Sequence, residues 1–300
     1  MLVAQRDRDH EGHGVSLRPV AEATYQEIYQ STLTSTKLSR TLTQLAVSFD
    51  RLLSDERRCD AYRCAIDRAI HSGARTFAVL GVGSLLPAFH AARCGAHVAV
   101  VEPVEPLAQL IRNGAAANGL RLAVVSSCEK LRSAWGGEPP DALLSERIDE
   151  SLLSEGLLPS LRAAVNAFGG RVPSHGVLPG NAVLTACPVQ LGFENVGGFG
   201  LDGLDIDLRH FDALRPSGVF AQQAPGYWPV RLLPARQPHA RLGEAFVAAR
   251  LDFAKLSVSS GSSVMSATHD VVMTRDGLLN AVVFWFDLHV YKQQQSSQQQ

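Results

Sequence analysis

Two glutamates lie nine residues apart in an acidic segment near the middle of the chain. Glu146 and Glu155 belong to residues 145–156, which read S-E-R-I-D-E-S-L-L-S-E-G. A hairpin of this length could bring both carboxylates to face each other across a small cation. A guanidinium group has five donors in a planar fork and can be held by two carboxylates at once. The alternative is a solvated loop, because charged loops are common on protein surfaces.

A glycine loop forms the second candidate site. Residues 81–86 read G-V-G-S-L-L and follow an apolar run. Glycine lets the backbone approach a ligand, and the next helix N-terminus offers free N–H groups and partial positive charge. Glu102 comes 19 residues after Gly83, where a carboxylate can accept both ribose hydroxyls of a nucleoside. The third glycine of G-x-G-x-x-G is absent, so an ordinary turn with a solvated Glu102 stays an alternative.

Alternating strand and helix patterns would position both segments. Strands are predicted from apolar runs at residues 77–82, 97–101, 122–125 and 142–145. Four helices are predicted. The first covers residues 48–72, the second ends at Cys94, the third begins at Pro106 and the fourth begins at Pro159. This order predicts a doubly wound α/β sheet of parallel strands with right-handed crossovers. Ligands bind at the carboxyl ends of such strands, so the glycine loop and the acidic segment should share one edge.

One helix gives a prediction about its buried face. The helix that begins at Pro106 is predicted to place four apolar residues on one side, and Gly119 follows its end. These four are Leu107, Leu110, Ile111 and Ala115.

The pattern changes near Gly169 and Gly170, where the helical period fades. Beyond them, residues 182–186, 229–233, 246–253 and 279–291 predict strands separated by Gly, Pro and Ser turns. Residues 201–216 have helix-like spacing and predict an arm. We therefore expect a partly disordered segment over 1–44, an α/β domain over 45–170, a mostly β domain over 171–292 and a low-complexity tail over 293–300.

Composition argues against several classes of protein. The 28 basic and 29 acidic residues give a net charge of −1, without the basic excess that direct nucleic-acid binding needs. Five cysteines without C-x-x-C spacing predict neither a disulfide framework nor a structural zinc site. The ten histidines include no H-x-x-x-H pair on a helix, so no metal site is predicted. With no signal-peptide pattern and no membrane-length apolar run, we expect a soluble cytoplasmic protein that does not bind membranes.

Together these residues resemble the protein arginine methyltransferases, and most closely the monomethylating, type III branch. Residues 48–62 are similar to the family's M-L-x-D-x-x-R-x-x-x-Y helix, and the similarity continues through the glycine loop to residues 127–129. Its most specific part is residues 145–160, which look like the family's double-glutamate loop. Residues 171–173 are similar to the entry into the family's β-barrel. The resemblance covers residues 45–291, densely in the first half and thinly in the second.

The resemblance implies a Rossmann-like domain that binds S-adenosylmethionine. Arg58 would pair with the carboxylate of the cofactor's methionine part, and Gly83 would line the cofactor. Glu102 would hold the ribose, and Glu129 would lie near the adenine.

The resemblance also implies a protein substrate with an exposed arginine, histones among them, and a cytoplasmic or nuclear location. Glu146 and Glu155 would clamp the guanidinium, and Asp149 matches the acidic position of the monomethylating branch. An arginine side chain stays protonated, with a pKa above ~12, so its nitrogens are weak nucleophiles. Two carboxylates can localise the charge and orient one nitrogen towards the sulfonium methyl, which makes catalysis mainly alignment plus electrostatics.

Two features depart from the family pattern. The family's V-L-D-x-G-x-G-x-G-x-L reads V-L-G-V-G-S-L-L-P here, so the loop is shorter and Gly81 replaces an acidic residue. No His-Trp pair occurs to match the family's Thr-His-Trp loop, so we expect either a truncated barrel-like domain or an incomplete active site.

Three interpretations follow. The first is a divergent arginine methyltransferase. The second is a catalytically impaired homologue that regulates an active arginine methyltransferase, as a homo- or heterodimer through the 201–216 arm. The third is an NAD-binding, dehydrogenase-like protein, against which the double-glutamate segment argues because hydride transfer needs no guanidinium clamp.

Overall fold

The computed structural model describes residues 2–6, 15–19, 50–149, 151–153, 155–191, 239–258 and 267–291. The chain forms two compact units. The first unit takes its described residues from Ala21–Ala182, Leu251–Ser262 and Leu288–Gln300. The second takes them from Met1–Val20, Val183–Arg250 and Ser263–Asp287.

The described elements are named here in chain order. The strands are β1 (Leu2–Arg6), β2 (Val15–Pro19), β3 (Thr76–Leu80), β4 (His97–Val101), β5 (Ala123–Val125), β6 (Ala142–Ser145), β7 (Val177–Leu178), β8 (Asn181–Leu191), β9 (His239–Arg241), β10 (Phe246–Asp252) and β11 (Ala281–His289). The helices are α1 (Glu56–His71), α2 (Leu86–Arg93), α3 (Glu105–Ala117), α4 (Leu131–Ala134), α5 (Leu157–Ala167) and α6 (Phe253–Val258).

The sheet of the first unit is parallel and doubly wound, which confirms the predicted fold class. Its strand order is β5-β4-β3-β6-β7, and each pair of neighbouring strands runs parallel. The order reverses direction between β3 and β6, so their carboxyl ends form the topological switch point. The glycine loop leaves β3 and the acidic segment leaves β6 at this point.

Burial explains why these segments form strands and helices. β3 and β6 are almost entirely buried, as expected for central strands of a parallel sheet that is covered on both faces. α1 begins after Asp55, whose carboxylate accepts from the Arg58 N–H at 3.0 Å and caps the first turn. The buried face of α1, formed by Tyr62, Ala65, Ile66 and Ala69, contributes to the main hydrophobic core of this unit.

The second unit is built from β structure. β10, β8 and β11 lie side by side, β9 pairs antiparallel with β8, and β1 pairs antiparallel with β2. Cys187, Val189 and Leu191 form a small core there with Ala281 and Val283. This arrangement agrees with the predicted change to a mostly β second half.

Several boundaries differ from the sequence predictions. α5 begins at Leu157 rather than at Pro159. The apolar run at 246–253 ends as a strand at Asp252, and Phe253 begins α6. The predicted strand at 229–233 and the 201–216 arm lie outside the described residues.

The face of α3 also differs from the prediction. Ile111 is 0% exposed, whereas Leu110 is 44% exposed, although both were placed on the buried side. Adjacent helical positions lie about 100° apart, so an apolar pair at i and i+1 need not share one narrow face. None of the described helices has both the length and the apolarity to cross a membrane.

Replacing Ile111 with alanine should lower the free energy of unfolding by about 2–5 kcal/mol, because the change leaves a cavity in the core. The matched control, Leu110→Ala, removes an exposed neighbour and should stay within about 0.5 kcal/mol of wild type. Urea unfolding followed by circular dichroism measures both. Equal losses in the two variants would contradict the assignment of the buried face.

Candidate functional site

The glycine loop makes a tight turn at the carboxyl end of β3. Three residues of this loop have positive φ, with 85° at Gly81, 48° at Gly83 and 65° at Leu85. Leu85 is unusual because a side chain in the left-handed region costs roughly 1–2 kcal/mol. The loop ends there, and α2 begins at Leu86 with a proline in its first turn. A turn this short holds its backbone N–H groups close to the end of the sheet.

Glu146 is the central charged group of this edge. It is 7% exposed and lies directly after β6. The Ser84 N–H donates to Oε2 at 2.8 Å, and the Ser84 hydroxyl lies 3.0 Å from each carboxylate oxygen. Burial raises the pKa of Glu146, and Arg58 and Ser84 oppose this rise by stabilising the ionised form. The glycine loop therefore binds a buried carboxylate of the acidic segment.

Arg58 supplies the positive charge that faces Glu146. Its Nη1 lies 3.3 Å from Glu146 Oε1, and its Nη2 donates to the Glu146 carbonyl at 3.4 Å. The guanidinium also lies 5.5 Å from the centre of the Tyr62 ring. Tyr62 donates from its hydroxyl to the Ser145 carbonyl at 2.8 Å, and burial raises its pKa. These contacts join α1 to the end of β6.

Gly83 is required by the close approach of Glu146. A Cβ at Gly83 would overlap the carboxylate and the Cβ of Glu146. The positive φ of Gly83 also disfavours any other residue. Gly83 thus allows the acidic segment to pack against the loop.

Glu102 lies at the end of β4 and is 2% exposed. One of its carboxylate oxygens accepts from the Val104 N–H at 2.9 Å. Burial raises the pKa of Glu102, while backbone N–H groups and the charge of Arg147 act in the opposite direction. The structure places this carboxylate at the same edge of the sheet as the glycine loop, where a ligand hydroxyl could donate to it.

Arg147 was not singled out in the sequence. Its guanidinium donates to the Ser160 hydroxyl at 2.7 Å, and a Cβ at Gly81 would lie 3.1 Å from its Nε. Ser84 was also missed as a partner for Glu146. A signal existed for both residues, because each lies within a segment that the strand order brings to the switch point.

The remaining predicted site residues lie at more open positions. Glu155 and Glu129 are exposed, and a hydrogen bond from the Ser127 side chain lowers the pKa of Glu129. Asp149 accepts from the Ser151 N–H at 3.1 Å and from its hydroxyl at 2.7 Å, so it shapes the acidic segment. The structure therefore brings Arg58, Gly83 and Glu146 together. Glu146 is buried, whereas Glu155 is exposed.

This geometry has one clear chemical property: the Glu146 carboxylate already pairs with a guanidinium, that of Arg58. In a buried setting such a pair is stronger than in water, provided that hydrogen bonds satisfy the remaining donors and acceptors. Arg58 uses two of its nitrogens on Glu146, which leaves donors for a second anion.

Comparisons with known proteins point to one family. The chain is 32% identical over 248 residues to the arginine N(omega)-methyltransferase of Streptomyces achromogenes subsp. streptozoticus, a match that covers 79% of this chain and 62% of that protein. It is 27% identical over 267 residues to protein arginine N-methyltransferase 7 of Oryza sativa subsp. indica, a match that covers 81% of this chain and 35% of that protein. The chain thus spans less than two thirds of the length of these curated relatives. No protein-family model matches it.

One solved structure supports the fold. The crystal structure of Arabidopsis thaliana protein arginine methyltransferase 10 matches 79% of this chain and 71% of that chain, with a TM-score of 0.52 and 21% sequence identity. At this level of identity the likeness concerns the fold alone.

Replacing Glu102 with glutamine should change how stability depends on pH. The native pKa of Glu102 lies above its ordinary value of 4.5, so the native state binds this proton more tightly than the unfolded state. As pH rises from 4.5 through the native pKa, wild type should lose stability relative to Glu102→Gln, and the difference should then stay constant.

Denaturant unfolding of both proteins across this pH range measures that difference. Glu105→Gln removes an exposed carboxylate three residues away and controls for the change in net charge. If wild type instead gained stability relative to Glu102→Gln as pH rises, the hydrogen bonds that lower the pKa of Glu102 would outweigh the burial that raises it.

Proposed function

We propose that the chain is a member of the protein arginine methyltransferase family and that it transfers a methyl group from S-adenosylmethionine to a guanidinium nitrogen of arginine. The observation that carries the proposal is the buried Glu146 carboxylate, which pairs with a guanidinium at the switch point of the sheet. Ligands of doubly wound sheets bind at this place.

The residues at this edge suit the cofactor chemically. Glu102 offers a buried carboxylate for ribose hydroxyls, and Arg58 has donors left for the carboxylate of the methionine part. Gly83 would line the cofactor, and Glu129 would lie towards the adenine. When bound, the cofactor supplies an electrophilic methyl group on a sulfonium.

The chain's own contribution to the reaction is to hold the acceptor. Glu146, and with it Glu155, would orient the guanidinium so that one nitrogen faces the methyl group in line with the C–S bond. Transfer of the methyl group would give methylarginine and S-adenosylhomocysteine, and the surplus proton of the acceptor nitrogen would leave to solvent. Because the guanidinium is positive, its binding favours the ionised form of Glu146 despite the burial that raises the pKa of this residue.

The substrate class has two forms. The Streptomyces relative is named for arginine and the rice relative for protein arginine, so the acceptor is a free or a protein-bound guanidinium. We propose a protein substrate with an exposed arginine, histones among them, in the cytoplasm or nucleus. Asp149, at the acidic position of the monomethylating branch, is the basis for proposing transfer of a single methyl group.

A second candidate function is favoured by one observation. Side chains of the chain itself lie against the shortened glycine loop: Arg147 beside Gly81, and Glu146 against Gly83 and Ser84. A homologue whose own residues fill the cofactor site would act as a regulatory partner of an active arginine methyltransferase. Such a partner would form a homo- or heterodimer through the 201–216 arm.

Calorimetric titration with S-adenosylhomocysteine should give saturable binding, whereas titration with NAD should give none. Glu102→Gln should weaken the binding of S-adenosylhomocysteine by roughly tenfold or more, because it removes a charge-assisted hydrogen bond to the ribose. Binding of NAD alone would support the dehydrogenase-like interpretation. Failure of both ligands to bind would leave the regulatory partner as the function.

Replacing Glu146 with glutamine should lower methyl transfer by roughly 100-fold or more, the scale on which loss of one positioned charge-stabilising group acts. The assay follows labelled methyl transfer to an arginine-rich peptide and, separately, to free L-arginine, which distinguishes the two substrate forms.

The control variant is Glu138→Gln, which removes an exposed carboxylate paired with Arg171 and should leave the rate unchanged. Circular dichroism checks that both variants fold. Unchanged turnover in Glu146→Gln would remove Glu146 from the site, and failure of wild type on both acceptors would support the regulatory candidate.

A further inference from the structure

Three side chains of different chemistry meet on the surface of the first unit, away from the candidate site. Asp67 lies on α1, His90 lies on α2, and Cys94 caps the end of α2. Their ligand atoms all lie within 4.8 Å of one another. His90 Nε2 is 2.6 Å from Asp67 Oδ1, and Cys94 Sγ is 3.7 Å from His90 Nε2 and 3.9 Å from Asp67 Oδ1.

The arrangement does not suit a catalytic triad. In such a triad the imidazole binds the acid through one nitrogen and the nucleophile through the other. Here Asp67 and Cys94 both approach the same nitrogen, Nε2 of His90, so the ring cannot relay a proton between them. Three possible ligand atoms within 4.8 Å of one another instead suit the binding of a metal cation.

We propose that Asp67, His90 and Cys94 form a zinc site that links α1 to α2. A carboxylate oxygen, an imidazole nitrogen and a thiolate are all ordinary zinc ligands, and three protein ligands plus one solvent position complete a tetrahedron. The side chains of His90 and Asp67 are 26% and 40% exposed, so an ion can reach them from solvent.

The observed spacing is close to what a zinc ion requires. With bond lengths of about 2.0–2.3 Å, tetrahedral ligands lie about 3.6 Å apart between sulfur and nitrogen and about 3.3 Å apart between nitrogen and oxygen. The Cys94–His90 distance of 3.7 Å already fits, whereas the Asp67–His90 hydrogen bond of 2.6 Å must open by less than ~1 Å. On binding, the Cys94 thiol releases its proton to solvent, and the cation stabilises the thiolate.

This site departs from the sequence prediction, which expected no metal. That prediction considered H-x-x-x-H pairs, whereas His90 and Cys94 form an H-x-x-x-C pair at the i and i+4 positions that share one side of a helix. The third ligand, Asp67, comes from another helix and is 23 residues away in sequence. The proposal is independent of methyl transfer.

The test uses the full chain without a histidine tag, stripped of metal, with Co²⁺ as a spectroscopic probe. Wild type should develop the near-ultraviolet absorption of a cobalt–thiolate bond, and Zn²⁺ should remove it because zinc binds such sites more tightly than cobalt. Cys94→Ser should abolish the band, while His90→Ala and Asp67→Asn should each weaken cobalt binding by at least ~10-fold.

Cys64→Ser is the matched control, because Cys64 is also exposed but lies outside the three-residue cluster. It should retain the full band. Zn²⁺ should also raise the thermal midpoint of wild type and leave that of Cys94→Ser unchanged, a readout independent of colour. No thiolate band in wild type, or a band that persists in Cys94→Ser, would overturn the proposal.

Discussion

The contact between Glu146 and the glycine loop is the interaction on which the candidate site depends. A buried carboxylate costs several kcal/mol of desolvation unless charges and hydrogen bonds compensate it. Here Ser84 provides both a backbone and a hydroxyl donor, and Arg58 provides a guanidinium. Ser84 belongs to the loop after β3, Glu146 to the segment after β6, and Arg58 to the first turn of α1. One charge therefore fixes the relative positions of three elements that are distant in sequence.

The same contact links two chemical roles in one place. Arg58 binds Glu146 with only some of its N–H donors. A second anion bound to Arg58 would therefore change the electrostatic environment of Glu146, the carboxylate expected to hold the substrate. Such coupling needs no moving domain, because both groups already share a contact. Tyr62 also belongs to the site, because its ring packs against the Arg58 guanidinium and its hydroxyl donates to the Ser145 carbonyl beside Glu146.

Much of the first unit could be predicted because its signals are local. Strand β4 and strand β6 match the predicted residues, since short apolar runs between glycine and proline turns define buried parallel strands. The shared edge of the two site segments also followed from strand order alone. The exposure of Leu110 and the short helix at Phe253 could not be predicted in this way. Both depend on which parts of the fold pack against these residues, and sequence periodicity does not contain this information.

The details of the site were the least predictable part. The pairing of Arg58 with Glu146 joins residues 88 positions apart, and the position of Arg147 beside Gly81 depends on how a shortened loop turns. Residue types could suggest that these groups carry chemistry, but only the fold decides which of them meet. The burial of Glu146 and the exposure of Glu155 differ for the same reason.

The route of the chain through the first unit has a consequence for how the protein is made. Phe253 is fully buried in this unit, and Val290 belongs to the core cluster that contains Tyr62 and Phe77. During synthesis, which proceeds from the N-terminus, the parallel sheet emerges long before these two residues do. The hydrophobic core of the first unit is therefore complete only after residue 290 has been synthesised, and until then this core lacks the contacts that Val290 makes.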